Sequence, residues 1–506
     1  MQPIGGREWL VAGSAGATLA FSAFGLGGIP TWTLHTLFAG GVLTFLLSVV
    51  PLPRIKSQRA EGRGHEIKVR GQSSSAANAK RLLRWPPFYL SLAFLIYLLM
   101  GALNPAVEVV RNESAWWVQE IQSRWPIWLP ISVRSEYDPM NAWRVLASFT
   151  GSFALMWGLW AGLTRRKAVL LVLWSLLISG AAMAFVGILQ HLTEAEAVLW
   201  TFPSSNRNFW GSFFYRNQGA AYLNLILVTA GVLYFYHAQK SRGRGQSGGP
   251  HLLCFVLFAG VVASVGLALS RGGILFAGIL TVCFLALVLI HTLIGIRQIT
   301  SFWAALVPLV LLTLGVLVVV RYVDLEAIEQ RFGDIEETIE EADQDLRYYS
   351  TKATWDMAQD RLWAGWGAGS FRYIFPIYQK EYPKIFYNRY REDRGWVGRK
   401  VYRYAHNDIV QFIAEYGLIG SGLLVLTFGS IIFPLILPPK NVTYATLFLL
   451  AGITCACLHA TVDFIFNSPA YWLALVGLIV GMSKLLKKKS STRRGHSHLD
   501  SHSAAG

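Results

Sequence analysis

GILFAGILTVCFLALVLIHT, residues 273–292, holds twenty positions without a single Asp, Glu, Lys or Arg. A helix of that length covers a hydrocarbon core of roughly 30 Å, and a stretch with so few charges reads as a transmembrane helix. The same pattern recurs along the chain. Predicted spans are 9–28, 31–51, 88–104, 145–163, 168–190, 218–237, 252–270, 273–292, 302–321, 417–437, 443–463 and 469–486. The 506 residues are 53% hydrophobic and only 15% charged, and the charge collects in short connections. A soluble chain of this length would instead show amphipathic periodicity. The sequence therefore predicts an all-α, polytopic membrane protein with about 12 transmembrane helices. The first span lacks a clean cleavage site and a second follows at once, so it does not read as a signal peptide. Internal repeats are not evident, which removes the usual pointer to an inverted-repeat transporter.

A net charge of +16 raises the question of nucleic acid, but its distribution answers otherwise. The basic residues gather in alternate loops: Arg54 to Arg84, Arg165-Arg166-Lys167, Lys240 to Arg244, Arg297, Lys440 and the tail Lys487-Lys488-Lys489. If those loops are cytoplasmic, each obeys the positive-inside bias, and both termini lie on the cytoplasmic side. The four cysteines, Cys254, Cys283, Cys455 and Cys457, all fall within apolar spans and read as packing residues rather than a disulfide framework or a metal site. The expected organisation is spans one to nine over 1–321 with a basic cytoplasmic loop at 52–87, a periplasmic loop at 322–416, spans ten to twelve over 417–486, and a cytoplasmic tail at 487–506. The serines at 73–75 suggest a disordered linker within 52–87. In the tail, His496, His498 and His502 read as a solvated stretch rather than a metal site.

Three outward loops are substantial: 105–144, 191–217 and 322–416. The first carries Trp116, Trp117, Trp125 and Trp128, which suit either an interfacial aromatic belt or a platform for sugar rings. The third opens with an acidic stretch, Asp324 to Asp345, patterned as a surface amphipathic helix, and then turns aromatic. It is long enough to be a functional lid. It closes at Tyr404-Ala405-His406-Asn407-Asp408, where Asn407 or Asp408 can cap the helix that follows and orient His406 at the membrane surface. Arg216-Asn217 precedes span six, Ser270-Arg271-Gly272-Gly273 turns between spans seven and eight, and Arg347 sits in the long loop. Asp463 follows His459 at the outer end of span eleven. Singly, each arginine could merely snorkel. Together, several arginines bordering outer span ends beside a histidine point to one outward-facing site.

Arginine offers a planar fork matched to phosphate oxygens. A histidine titrating near pH 6.5 can accept a proton from an attacking hydroxyl at neutral pH. The chain has no Walker loop, nucleotide fingerprint or zinc-ligand motif, so a reaction outside the cytoplasm would draw on a pre-activated donor. These residues thus suit glycosyl transfer from a polyprenyl diphosphate, with arginines on the diphosphate and His406 as base.

Ala405-His406-Asn407-Asp408 followed by Glu415-Tyr416-Gly417-Leu418-Ile419-Gly420 resembles the signature of the O-antigen ligase and polymerase superfamily. Gly211-Ser212-Phe213-Phe214-Tyr215-Arg216-Asn217, Ser270-Arg271-Gly272-Gly273, Gly365-Trp366-Gly367-Ala368-Gly369-Ser370-Phe371 and the pair His459 and Asp463 are similar to further segments of it, across roughly residues 140–480. The resemblance implies a GT-C-like membrane glycosyltransferase that joins an undecaprenyl-diphosphate-linked glycan to an acceptor at the periplasmic face, without metal, nucleotide or other cofactor. By that likeness His406 is the catalytic base and Arg216, Arg271 and Arg347 bind the donor diphosphate. Asn217, Tyr378, Asn407, Asp408, Glu415 and Asp463 support them. Loop 52–87 is longer and more basic than the family pattern. A ligase acting on lipid A-core of lipopolysaccharide leads this reading. A polymerase or a protein O-oligosaccharyltransferase of the same superfamily comes next, and a bicarbonate or solute transporter is a distant alternative because the span centres carry so little charge.

Overall fold

The computed structural model describes residues 4–51, 74–113, 115–243, 245, 248–293, 346–391, 394–437 and 442–486. Its helices are α1 (Gly6–Phe24), α2 (Thr31–Val49), α3 (Ser75–Leu83), α4 (Pro86–Leu103), α5 (Ala142–Gly162), α6 (Arg166–Leu192), α7 (Arg216–Arg242), α8 (Pro250–Leu267), α9 (Arg271–Leu293), α10 (Leu346–Asp360), α11 (Phe371–Gln379), α12 (Pro383–Phe386), α13 (Asp408–Ile436), α14 (Tyr444–Ala460) and α15 (Pro469–Leu486). Among the described residues, nine are long and apolar enough to cross a membrane: α2, α4 to α9, α13 and α15. Helices α1 and α14 also stand where spans were expected, with α14 a shorter apolar helix. The expected span 302–321, the acidic stretch 324–345, the first part of the basic loop and the tail lie outside the described residues.

Helix α7 is the axis of the bundle. It is buried on nearly every face and packs against α6, α8, α9, α14 and α15. Close approach elsewhere depends on small residues, which let helices pack in a lipid setting where apolar burial alone gives little drive. Gly41 of α2 lies so near Gly151 of α5 that a methyl group at position 41 would sit 2.0 Å from the Gly151 carbonyl oxygen. At the end of the bundle far from Arg216, the carboxylate of buried Glu8 accepts from the backbone N–H of Thr164 and Arg165 and pairs with the Arg165 guanidinium at 2.8 Å.

Residues 74–87 correct the expected linker. Ser74 accepts a hydrogen bond from Ala77 N and caps α3, whose Asn78 donates to the Ser48 carbonyl at 2.7 Å. This part of the loop is therefore a docked helix.

At the opposite end, the long loops form a second, smaller core containing Val107, Val133, Met140, Met357, Phe371, Phe375, Tyr404 and Phe464. The all-α expectation holds for the bundle, but this layer adds strands. β1 (Pro105–Arg111) pairs antiparallel with β2 (Trp116–Glu120) and parallel with β3 (Ser132–Arg134), while β4 (Arg389–Arg391) and β5 (Gly395–Val397) make a hairpin. The tryptophans divide between roles: Trp116 packs edge-on against Tyr373 of α11, whereas Trp117 and Trp128 are exposed.

This layer is stitched to the bundle by backbone. Helix α13 breaks at Gly417, where φ is 62° and ψ −176°, a conformation kept almost wholly to glycine and costing other residues about 1–3 kcal/mol. The chain from Leu362 to Gly367 lies in the break: Trp366 N donates to Ala414 O, Gly367 N to Glu415 O, and Leu418 N to Leu362 O. The Tyr97 hydroxyl of α4 donates to the carbonyls of Ala364 and Tyr416, closing the seam. The helix begins at Asp408, where a cap at Asn407 or Asp408 was expected: Asn407 accepts from Val410 N at 3.2 Å. Its break at Gly417 falls where the apolar span was expected to start.

Candidate functional site

Three helices start at the same corner of the loop face. Arg216 is the first residue of α7, Arg271 the first of α9, and Asp408 the first of α13. The first turn of a helix leaves backbone N–H groups without intrahelical partners and carries the positive end of the helix dipole, so such ends favour anions. Arg347 comes from α10 in the loop layer. The structure brings these cations together: Arg216, Asn217, Arg271, Gly272, Arg347, Leu269, Val462 and Asp463 line one cleft of about 290 Å³. Among the described residues, the lining of this cleft carries three guanidiniums and one carboxylate.

Asp463 is buried, following the end of α14 in a turn. Its Oδ2 accepts from Asn217 Nδ2 at 2.6 Å and its Oδ1 from Phe464 N at 2.9 Å. His406 Nδ1 lies 3.8 Å from the same Oδ1. The imidazole stands edge-on to Phe464, ring centres 4.8 Å apart, and remains about one-third exposed. His406 holds φ at 58°, a left-handed conformation rarely adopted by a residue with a side chain and one that concentrates at functional sites. The capped start of α13 on one side and the buried Ala405 on the other fix it there.

His406 opens onto a second cleft of about 420 Å³, shared with Asn206, Asn208, Arg216, Tyr402, Arg403 and Tyr404 among others. Arg216 and Asn217 line both clefts, so the histidine and the arginine cluster border adjoining spaces. Tyr404 forms part of its wall, stacked on Phe464 with ring centres 4.7 Å apart, and burial pushes its phenol up from the usual range.

The remaining sequence-predicted residues separate into brackets and one outlier. Asn407 caps α13. Asp408, fully buried, accepts from Phe466 N at 2.8 Å and from Asn467 Nδ2 at 3.0 Å, tying α13 to the turn that carries Asp463. Glu415 accepts from Gly369 N, Phe371 N and Gln411 Nε2, so it clamps the glycine-rich segment and the start of α11. Tyr378 lies apart from both clefts. Its hydroxyl donates to Asp360 of α10, and burial together with that carboxylate raises its pKa. His459 is buried in α14, its ring 5.0 Å from that of Phe276.

Sequence reasoning missed Asn206, Asn208 and Tyr402, which line the His406 cleft. Asn206 is the organiser of its turn: its side chain accepts from Asn208 N and donates to Phe214 O. The run Ser205-Asn206-Arg207-Asn208 before the quoted Gly211 segment was the one available signal. Among the described residues, no group of three or more His, Cys, Asp or Glu side chains could hold a metal ion.

Residues 252–425 match the family model described as O-Antigen ligase. That match contains Arg271, Arg347, the glycine-rich segment, His406 and Glu415, and it supports the resemblance to the O-antigen ligase superfamily read from the motifs. Arg216, Asn217 and Asp463 lie outside the matched segment and join it only in space. Among curated proteins, none matches the sequence.

Proposed function

From this multi-pass membrane chain of the O-antigen ligase superfamily, we propose an O-antigen ligase that moves a glycan from undecaprenyl diphosphate to the lipid A-core of lipopolysaccharide. The observation that carries the reading is the cleft in which Arg216, Arg271 and Arg347 converge next to His406. Charge-assisted hydrogen bonds to phosphate contribute about 1.5–3 kcal/mol each, and the α7 and α9 ends add their dipoles. His406 accepts the proton of the acceptor hydroxyl. The freed oxygen bonds to the anomeric carbon, and the bond from that carbon to the diphosphate oxygen breaks. Charge growing on the leaving diphosphate is met by the arginines, which are in place before the reaction begins. Asp463, 3.8 Å away on the Nδ1 side, stabilises the imidazolium as it forms. No step calls on metal or ATP.

The reaction face is the periplasmic side of the inner membrane. Helix α7 runs from Arg216 at the site to Arg242, and α6 begins at Arg166, so the basic connections after α5 and α7 lie at the other end of the bundle. That separation supports cytoplasmic placement of those connections.

The test supplies purified protein in liposomes with a polyprenyl-diphosphate glycan and lipid A-core, with chelator and without ATP. One shifted lipid A-core band is expected. A ladder of lengthened lipid-linked glycan would instead mark a polymerase. Absence of either product from folded protein would overturn the reading.

A further inference from the structure

Arg216 borders a third cleft, of about 380 Å³, between the end of α6, the 207–211 turn and the end of α8. Its size falls within the roughly 300–1,000 Å³ typical of small-molecule sites. It meets the arginine cleft at Arg216 and Leu269 and the His406 cleft at Arg216 and Asn208. Its lining is rich in hydrogen-bonding groups: Gln190, His191, Glu194, Arg207 and Asn208, beside the indole of Trp210. Gln190 is 4% exposed, and its Oε1 accepts no hydrogen bond in the structure. Among the described residues its amide nitrogen makes one long bond, 3.5 Å to Ala197 O. A buried carbonyl left without a donor costs about 1–3 kcal/mol, so it favours an occupant that brings one.

The wall opposite is exposed but not loose. The Asn206 side chain fixes the backbone on both sides, Asn208 O accepts from Arg216 N at 2.8 Å, and Trp210 Nε1 donates to Ser264 Oγ at 3.1 Å. Arg207 and Asn208 therefore project from a backbone held in place, which lowers the ordering cost of binding. Amides, a carboxylate and a guanidinium beside an aromatic ring suit the hydroxyls of a sugar ring and are a poor match for an isoprenoid chain.

We propose that this cleft binds the sugar attached to the donor diphosphate, with Gln190, Arg207 and Asn208 reading its hydroxyls while its anomeric carbon stays beside Arg216 and open toward His406. The inference rests on the diphosphate reading and adds a residue set that selects the donor sugar. Prenyl chain would then leave the arginine cleft by another route.

Binding of two probes to the full-length protein in detergent tests it: farnesyl diphosphate, and farnesyl diphosphate carrying one hexose. Wild type is expected to bind the sugar-linked probe about tenfold more tightly, a gap of about 1.4 kcal/mol. In Arg207→Ala, and separately in Gln190→Leu, that gap should close while affinity for bare farnesyl diphosphate is retained. The retained affinity also reports intact folding. A gap that persists in both variants would overturn the sugar assignment. Equal weakening of both probes would do the same and return the cleft to the diphosphate or prenyl chain. Wild type binding neither probe would remove the diphosphate reading itself.

Discussion

Replacing Asp463 by Asn keeps the shape of the turn and removes one charge from beside His406. Two unit charges 3.8 Å apart attract by about 4 kcal/mol at an effective dielectric near 20. The imidazole is about one-third exposed, and solvent screening trims that figure. We take about 2–3 kcal/mol as the part felt when His406 becomes an imidazolium, which predicts a roughly 30- to 150-fold fall in kcat. The same change makes the arginine cleft more positive, so KM for the donor should not rise. This split separates the account from simple loss of fold, which would lower the active fraction and leave kcat per active site intact. The assay is steady-state transfer with varied donor, normalised to the fraction of protein that binds polyprenyl diphosphate. A kcat within threefold of wild type would refute the pairing of Asp463 with His406 in the reaction. A raised donor KM with kcat retained would place Asp463 in binding instead.

Arg271→Lys should raise donor KM at least tenfold, because an ammonium cannot reproduce the two-pronged contact with phosphate; titration with polyprenyl diphosphate checks it. Gly417→Ala should lower thermal stability in detergent by about 2 kcal/mol or more. Its methyl group would sit 2.2 Å from the Trp363 carbonyl oxygen, so an unchanged melting temperature would contradict the stitched seam. Tyr378→Phe should leave transfer within about twofold of wild type, since its hydroxyl bonds Asp360 away from both clefts, and should cost about 1 kcal/mol of stability. A large loss of transfer would return Tyr378 to the site.

The spans were legible because a bilayer imposes a length and a polarity that local sequence must obey. Arg216 and Arg271 were legible for the same reason: arginines at the ends of apolar spans stand out in a chain so poor in charge, whereas Arg347 was named within the long loop. Their convergence depends on how α7, α9 and α10 pack, which no local pattern encodes. The start of α13 was legible in the cap at Asn407 or Asp408, but the partners of its polar first turns were not: Asp408, Gln411 and Glu415 interrupt the apolar run. They share one helical face, and their partners are remote in sequence: the 463–467 turn, Ala405 and the Gly369–Phe371 backbone. The strand β1 was hidden for a related reason, since its parallel pairing with β3 is made across the intervening β2 and turn. Tyr378 was assigned by its place after the glycine-rich segment, and sequence order carries no information about which way α11 turns its hydroxyl.

If His406 takes the proton from the acceptor, single-turnover transfer by His406→Ala should reveal it. Donor is pre-bound and the reaction started with lipid A-core, while binding of polyprenyl diphosphate is measured on the same sample. Donor affinity should stay close to wild type while the rate of transfer falls by about two to four orders of magnitude, the usual contribution of a positioned base. Transfer at the wild-type rate, with donor bound as before, would contradict it.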